Sequence, residues 1–379
     1  GGRAVSLFPD GPRTLKHLEL GRWGMKKVLL GSTAIVAAGL IAAPSAMAAE
    51  KLQVSVGGYM EQWFGYTSVD DSTGRDVDGF DVKSDSEIHF KGSTTLDNGI
   101  EFGINVQLEA NSNSSDQIDE SYLIMRGSFG EINLGSENSA MYKMHYAPSD
   151  FGISINSGDQ GDWAALSGSN VSGSGYFRGV LGSTYVEPGR ANDSEKLTYY
   201  TPRFAGFQLG ASYSPDNLQD TNAPVDRNTG VSDMVTFGAN YSGDFGGVSL
   251  GVSGGYGTFM ESASGTDEPE SYSAGVTLGV GGFGVGASYA AEEGATEGQS
   301  YNLGVSYETG PFGVSLSYFH GEVDNSSAQD TVHLSGKYAL GPGVTAAATL
   351  GYAEFEDDGT AGSDEIEATY FVTGIRLSF

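Results

Sequence analysis

The sequence predicts an all-β chain, closed into a 16-stranded antiparallel transmembrane β-barrel. Three observations carry this. Apolar and polar residues alternate through short segments that recur from about residue 52 onward. Beyond one early run, no segment approaches the ~18 continuous apolar residues of a membrane-crossing helix. Finally, Asp364–Phe379, DEIEATYFVTGIRLSF, is amphipathic with a period of two. Phe371, Thr373, Ile375, Leu377 and Phe379 share one largely apolar face, and Tyr370, Val372, Gly374, Arg376 and Ser378 share the other.

The early run has its own explanation. Met25, Lys26 and Lys27 form a basic start, Val28–Ala43 is apolar but broken by Gly31, Ser32, Thr33 and Gly39, and Ala46-Met47-Ala48 is a small-residue cleavage pattern. Residues 25–48 are therefore expected to be an export signal peptide rather than a membrane anchor. Residues 1–24 precede a good start Met, match no targeting pattern, and are expected to be a spurious extension outside the fold.

Composition narrows the function. Beyond residue 48 stand 13 Lys and Arg against 46 Asp and Glu, the whole-chain 19 and 48 less the 6 and 2 before it. Such a surface repels nucleic acid and attracts cations. With no Cys there is neither a disulfide framework nor thiol chemistry.

The expected strands run Leu52–Tyr66, Glu87–Leu96, Ile100–Ala110, Ile118–Ser128 and Glu131–Glu137. After a long irregular stretch at about 138–193 come Glu195–Thr201 and Gly206–Ser214. Four hairpin pairs follow: Ser232–Tyr241 with Val248–Phe259, Ser271–Val280 with Phe283–Ala290, Ser300–Glu308 with Phe312–Gly321, and Thr331–Leu340 with Val344–Phe355. Glu365–Phe379 closes the set. Asp97-Asn98-Gly99 is a strong hairpin signal. Alternation is cleanest late in the chain, where Tyr301, Leu303, Val305 and Tyr307 oppose Asn302, Gly304 and Ser306. Apolar faces that begin or end in Tyr or Phe suit the aromatic girdles of a membrane barrel. Sixteen strands enclose a lumen too wide for side chains to fill, so the polar face is expected to line water, and the chain to be a channel.

Against this background LQVSVGGYMEQWFGY, EIHFKGSTTLDNGIEFGINVQLE, SYLIMRGSFGEINLG, EKLTYYTPRFAGFQLGASYSP and the terminal Phe resemble the Gram-negative trimeric general porins of alphaproteobacterial type, over Ala49–Phe379. Phe90-Lys91-Gly92, Phe129-Gly130 and Thr201–Gly206 are the most specific segments. The resemblance implies an outer-membrane homotrimer and passive diffusion of small hydrophilic solutes, with no cofactor and no reaction. It also implies an inward-folded third loop at about 138–193, and an insertion signal at Phe371, Ile375, Leu377 and Phe379. That loop's Phe151, Trp163 and Tyr176 suggest packing rather than solvation.

In that family arginines on the wall usually face carboxylates on the loop. This chain departs from the pattern. Glu87 and Glu120 stand at Arg-like wall positions, Lys91 is kept, and Arg178 is the remaining cluster member. Asp150, Asp159 and Asp162 are the loop carboxylates. The expected constriction is Glu87, Lys91, Glu120, Asp150, Asp159, Asp162 and Arg178, with cation preference. Charges roughly 8 Å apart interact by about 0.5–2 kcal/mol between aqueous and near-surface dielectrics.

Other readings stay in view: a substrate-specific channel, a barrel enzyme, or a receptor using loops such as Ser68–Ser86 and Met260–Glu270. Gly279-x-Gly281-x-x-Gly284 lacks the following helix of a dinucleotide site. The G-x-S-x-G matches at Gly247 and Gly251 lie inside one strand, without a nucleophile elbow. His17, His89, His145, His320 and His333 show no metal spacing, and the acidic stretch Asp357–Glu365 reads as a solvated loop rather than a calcium site.

Overall fold

The computed structural model describes residues 51–72, 74–111, 117–166, 176, 178–219, 221–263, 267–294, 296–357 and 364–379. The expected leader at 25–48 and the extension before it lie outside the described residues, as does 358–363 of the acidic stretch.

Sixteen strands close the barrel: β1 (Gln53–Asp71), β2 (Gly79–Thr95), β3 (Glu101–Glu109), β4 (Ile118–Gly127), β5 (Gly130–Ser136), β6 (Glu195–Tyr200), β7 (Phe207–Asp216), β8 (Val231–Asp244), β9 (Val248–Ser262), β10 (Glu270–Val280), β11 (Phe283–Glu293), β12 (Gly298–Thr309), β13 (Phe312–Val323), β14 (Ser327–Gly341), β15 (Val344–Asp357) and β16 (Asp364–Ser378). Each pairs antiparallel with its sequence neighbours, and β1 pairs with β16 from Tyr59↔Ser378 to Asp71↔Ile366. Closure leaves no unpaired sheet edge, as backbone in hydrocarbon requires.

The turns explain the short connections. At Leu96–Ile100 the Gly99 N–H donates to the Leu96 carbonyl at 2.8 Å, and Gly99 takes a φ of 81°. Gly281 and Gly282, with φ of 56° and 87°, link β10 to β11 as a two-residue turn whose positive dihedrals match strand twist. The dinucleotide-like spacing is thus a hairpin, and both G-x-S-x-G matches fall in or beside β9.

The outer face carries the apolar set. Val56, Phe64, Leu303, Val305, Leu316 and Leu334 are exposed. So are Phe371, Ile375, Leu377 and Phe379 of the final segment. Aromatic pairs ring both ends of this belt. Phe207–Tyr241, Phe283–Tyr307 and Phe312–Tyr338 lie 4.5–4.7 Å apart beside the short turns. Phe64–Phe80, Tyr66–Phe80 and Tyr256–Tyr272 lie 5.0–5.4 Å apart toward the long loops. These are the two interfacial girdles of a membrane-spanning barrel.

Two expectations need correction. Ser68–Ser86 is not all loop, because β1 continues to Asp71 and β2 begins at Gly79. Ser84 and Ser86 interrupt the apolar face there, while Phe80 and Val82 still point outward. Nor is the inner face polar throughout. Trp63, Phe355, Ile366, Tyr370 and Val372 point inward and are buried with Ile153, Trp163 and Leu166 of the third loop. A packed loop replaces water there, and each fully buried large side chain contributes about 1.5–3 kcal/mol.

Candidate functional site

The loop joining β5 to β6 sets the shape of the lumen. It holds two short helices, α1 (Ala140–Lys143) and α2 (Asp159–Trp163), and a 3₁₀ turn at Pro188–Arg190. Its outward leg runs along the inner wall strand by strand. The Ala140 N–H donates to Ser212 Oγ of β7 at 2.8 Å, Tyr146 N–H to Ser253 Oγ of β9 at 2.9 Å, and Phe151 N–H to Ser315 Oγ of β13 at 3.1 Å. Next, Ile153 N–H donates to Thr349 Oγ1 of β15 at 3.0 Å, and Thr67 Oγ1 of β1 donates to the Trp163 carbonyl at 2.8 Å. The return leg is pinned by Ser300 Oγ to the Ser183 carbonyl and by Thr184 Oγ1 against Ser288 Oγ. Inward Ser and Thr are therefore sockets for loop main chain, which would otherwise be buried without partners.

Between the sockets the wall lacks side chains. A Cβ at Gly238 would lie 2.7 Å from the Ala140 carbonyl oxygen, and one at Gly304 would lie 2.6 Å from Pro148 Cβ. A Cβ at Gly275 would collide with the Tyr146 carbonyl. The loop lies in a groove that only glycine leaves open. Its hydrogen bonds to the wall run from β7 round to β1, and it reaches β4 through Asn138 and Glu120 and β2 through Trp163 and Lys83.

The wall formed by β2, β3 and β4 is acidic. Asp85, Glu87, Glu109 and Asp119 line it, and Glu87, Glu109 and Asp119 each bring a carboxylate oxygen within 4.8 Å of the others. Glu87 accepts from Tyr59 Oη at 2.9 Å and lies 2.7 Å from His89 Nε2. Lys91, two residues further along the same face, is exposed. On the loop, α2 presents Asp159, whose Oδ2 accepts from Ser157 Oγ at 2.6 Å, and the exposed Asp162. Burial pushes Asp159 above the ordinary carboxylate range, with the charges of Glu61 and Asp162 adding to the push. Burial raises Asp162 as well, opposed by Lys83.

The other expected residues sit elsewhere. Glu120 is buried under the loop's start, where its carboxylate accepts from Asn138 Nδ2 at 2.7 Å and Gln107 Nε2 at 2.6 Å. Asp150 lies against the opposite wall, with Oδ2 3.2 Å from His333 Nδ1, and His333 Nε2 lies 2.7 Å from Tyr370 Oη. Arg178 donates to Asn138 Oδ1 and lies over the Tyr142 ring at 4.9 Å. Burial alone would lower its proton affinity, yet Tyr142, Asp193 and Glu187 raise it above the usual value. Glu87 thus lies on the inward face of β2 and Asp159 and Asp162 on the loop's α2, while Glu120 and Asp150 tether the loop.

Lys91 stands exposed on the β2 face, while four other basic groups are neutralised. Arg376 pairs with Glu61 at 2.8 Å, Lys83 with Asp81 at 2.6 Å, Lys143 with Glu137 at 2.6 Å and Lys337 with Glu308 at 2.7 Å. Sequence reading missed Asp85, Glu109, Asp119 and Arg376. For Asp85 the signal was present, in step with Glu87 on an inward parity that begins earlier than the apolar alternation does.

A closed, lipid-facing barrel with a loop folded into an aqueous lumen defines a transmembrane channel. The Gram-negative porin family model matches residues 31–358, and the chain belongs to that family, whose members form outer-membrane channels. Among solved structures the fold is similar to an anion-selective porin from Comamonas acidovorans, with 18% identity and a TM-score of 0.58 over 87% of this chain and 100% of that one. It is also similar to OmpT of Vibrio cholerae in its trimer form, with 14% identity and a TM-score of 0.58 over 87% and 100%. A mutant of the Rh. blastica porin matches with 17% identity and a TM-score of 0.53 over 86% and 100%. No curated protein matches the sequence. Family and fold are those of a non-enzymatic channel in the outer membrane.

Proposed function

We propose that the chain conducts small hydrophilic solutes and ions passively, prefers cations, and works as a homotrimer. One observation carries the preference. Asp85, Glu87, Glu109, Asp119, Asp159 and Asp162 are read as bordering the passage and outnumber the exposed Lys91, whereas Arg376, Lys83, Lys143 and Lys337 are each spent on a carboxylate. Fixed negative charge in a narrow aqueous path concentrates cations and repels anions. The anion selectivity of the Comamonas porin belongs to that protein, whose likeness to this chain is one of fold. The trimer form of the Vibrio protein supports the trimer. Phe371, Ile375, Leu377 and Phe379 on that belt are read as the insertion signal, and residues 25–48 as the export leader.

The test is a planar-bilayer recording of the purified protein in a KCl gradient. A reversal potential of the sign set by K⁺ supports the reading, and one set by Cl⁻ refutes the preference while leaving the channel intact. Three-step closures and a chemically cross-linked trimer check the assembly.

A further inference from the structure

At the long-loop end of the barrel, a cavity of about 180 Å³ lies between the 3₁₀ turn of the third loop and the ends of β10 and β11. Its inward wall is built by Arg190, Ser271 and Glu292. Ser271 and Glu292 are direct cross-strand partners, and both are buried, at 0% and 6% exposure. The 3₁₀ turn is held against this wall by Gly189, where a Cβ would sit 3.0 Å from the Phe259 ring. Arg190 is itself in the left-handed region at φ 52°, a conformation a non-glycine residue keeps only when its surroundings impose it.

Two buried polar atoms here, Arg190 Nε and Ser271 Oγ, have no hydrogen-bond partner among the described residues. Glu292 uses one oxygen, Oε2, to accept from the Val180 N–H at 3.3 Å. Among the described residues Arg190 and Glu292 form no ion pair, although they face one cavity and Glu292's charge bears on Arg190. Buried donors left unpaired cost about 1–3 kcal/mol each, so a guest that pairs both atoms is stabilised here by what it satisfies.

We propose that this cavity is a binding subsite for a small zwitterion carrying an ammonium and a carboxylate, the size of a small amino acid. The carboxylate accepts from Arg190 and Ser271, and the ammonium donates to Glu292. Glu270 and Glu293 at the rim add negative potential on the ammonium side. A lone anion meets three carboxylates, and a lone cation meets the guanidinium, so neither fits as a zwitterion does. Its use as a waiting station for solute at the channel mouth rests on the channel reading; the binding does not, and is measured without conduction.

The probe is L-alanine, titrated into the purified full-length protein in detergent near pH 7 and followed by saturation-transfer NMR. Saturable binding is expected, weakened at least about tenfold by Arg190→Gln and by Glu292→Gln, as loss of a charge-assisted bond implies. Ser271→Val, which fills the cavity, should weaken it similarly. KCl conductance of all three variants should match the parent, which shows that the barrel is formed and separates this test from that of the channel. Absence of saturable binding overturns the proposal. So does competition by acetate or methylammonium as effective as alanine itself, or alanine binding indifferent to Glu292→Gln.

Discussion

Arg376 and Glu61 are joined at 2.8 Å, and the same guanidinium donates to the Phe151 and Gly152 carbonyls at 3.2 and 2.6 Å. It also lies over the Trp63 ring at 5.0 Å. One cation therefore closes the seam between β1 and β16, holds the loop's midpoint, and cancels a lumen carboxylate. Arg376→Gln should cost about 2 kcal/mol, as loss of charge-assisted hydrogen bonds at a partly exposed site does. It also frees Glu61. Cation preference in a KCl gradient should rise and current noise should grow as the loop loosens. Unchanged noise and selectivity would show that the clamp is dispensable.

The glycine groove makes pore size adjustable from behind. Gly304→Leu places a side chain where Pro148 lies, and overpacking of this kind costs about 1–3 kcal/mol. The wall behind the loop is packed, so the loop yields toward the lumen. Single-channel conductance should fall, by roughly half if the loop's free edge shifts by the width of a methylene, a displacement the packed wall behind it cannot absorb. The same substitution on an outward position, such as Val305→Leu, should leave conductance unchanged.

Asp159 and Asp162 are the loop's contribution to the field. Converting both to Asn removes two charges, each worth about 0.5–2 kcal/mol to a permeating ion at nearby positions. The K⁺ over Cl⁻ permeability ratio should drop several-fold, and less at high salt. Acidification should mimic the substitution. Because burial raises both carboxyls, they take up protons and lose charge at a higher pH than exposed carboxylates, which titrate near 4. Cation preference should therefore begin to fall before the external acids titrate, and reversal potential against pH checks it.

Asp193 offers a stability test. Burial pushes its carboxyl up to about 7 against the pull of Arg178, and Oδ1 has no hydrogen-bond partner among the described residues. The folded chain holds this proton more tightly than the unfolded one, so its contribution is complete below the unfolded value near 4. It is lost as pH rises through about 7. Asp193→Asn keeps the left-handed backbone that Asn tolerates, at φ 57°. The variant should flatten the decline in unfolding midpoint between pH 5 and 8, and an unchanged slope would rule this group out as its cause.

Strand number and inward parity were legible because a sheet wet on one side and greasy on the other writes its period of two into the sequence. The role of Glu120 was not. Whether a carboxylate faces water or ties down Asn138 depends on where the loop lands, and nothing local to Glu120 records that. Asp150 has the same difficulty, its partner His333 lying 183 residues away. Val372 and Tyr370 share the inward face with Arg376 and Ser378, and they mark the landing place. The clamp made by Arg376 was not legible, because its hydrogen bonds to the loop are to main chain, which carries no sequence signature.

The buried patch of Trp63, Phe355, Ile366, Tyr370 and Val372 has a consequence for remodelling this channel. Excising the third loop would not simply yield a wider bore. It would strip an oily strip bare inside a water column, and detergent, lipid tails or a neighbouring segment would flow in to plaster over it. An enlarged opening therefore calls for repainting that stretch of wall with hydrophilic side chains before the insert is cut away.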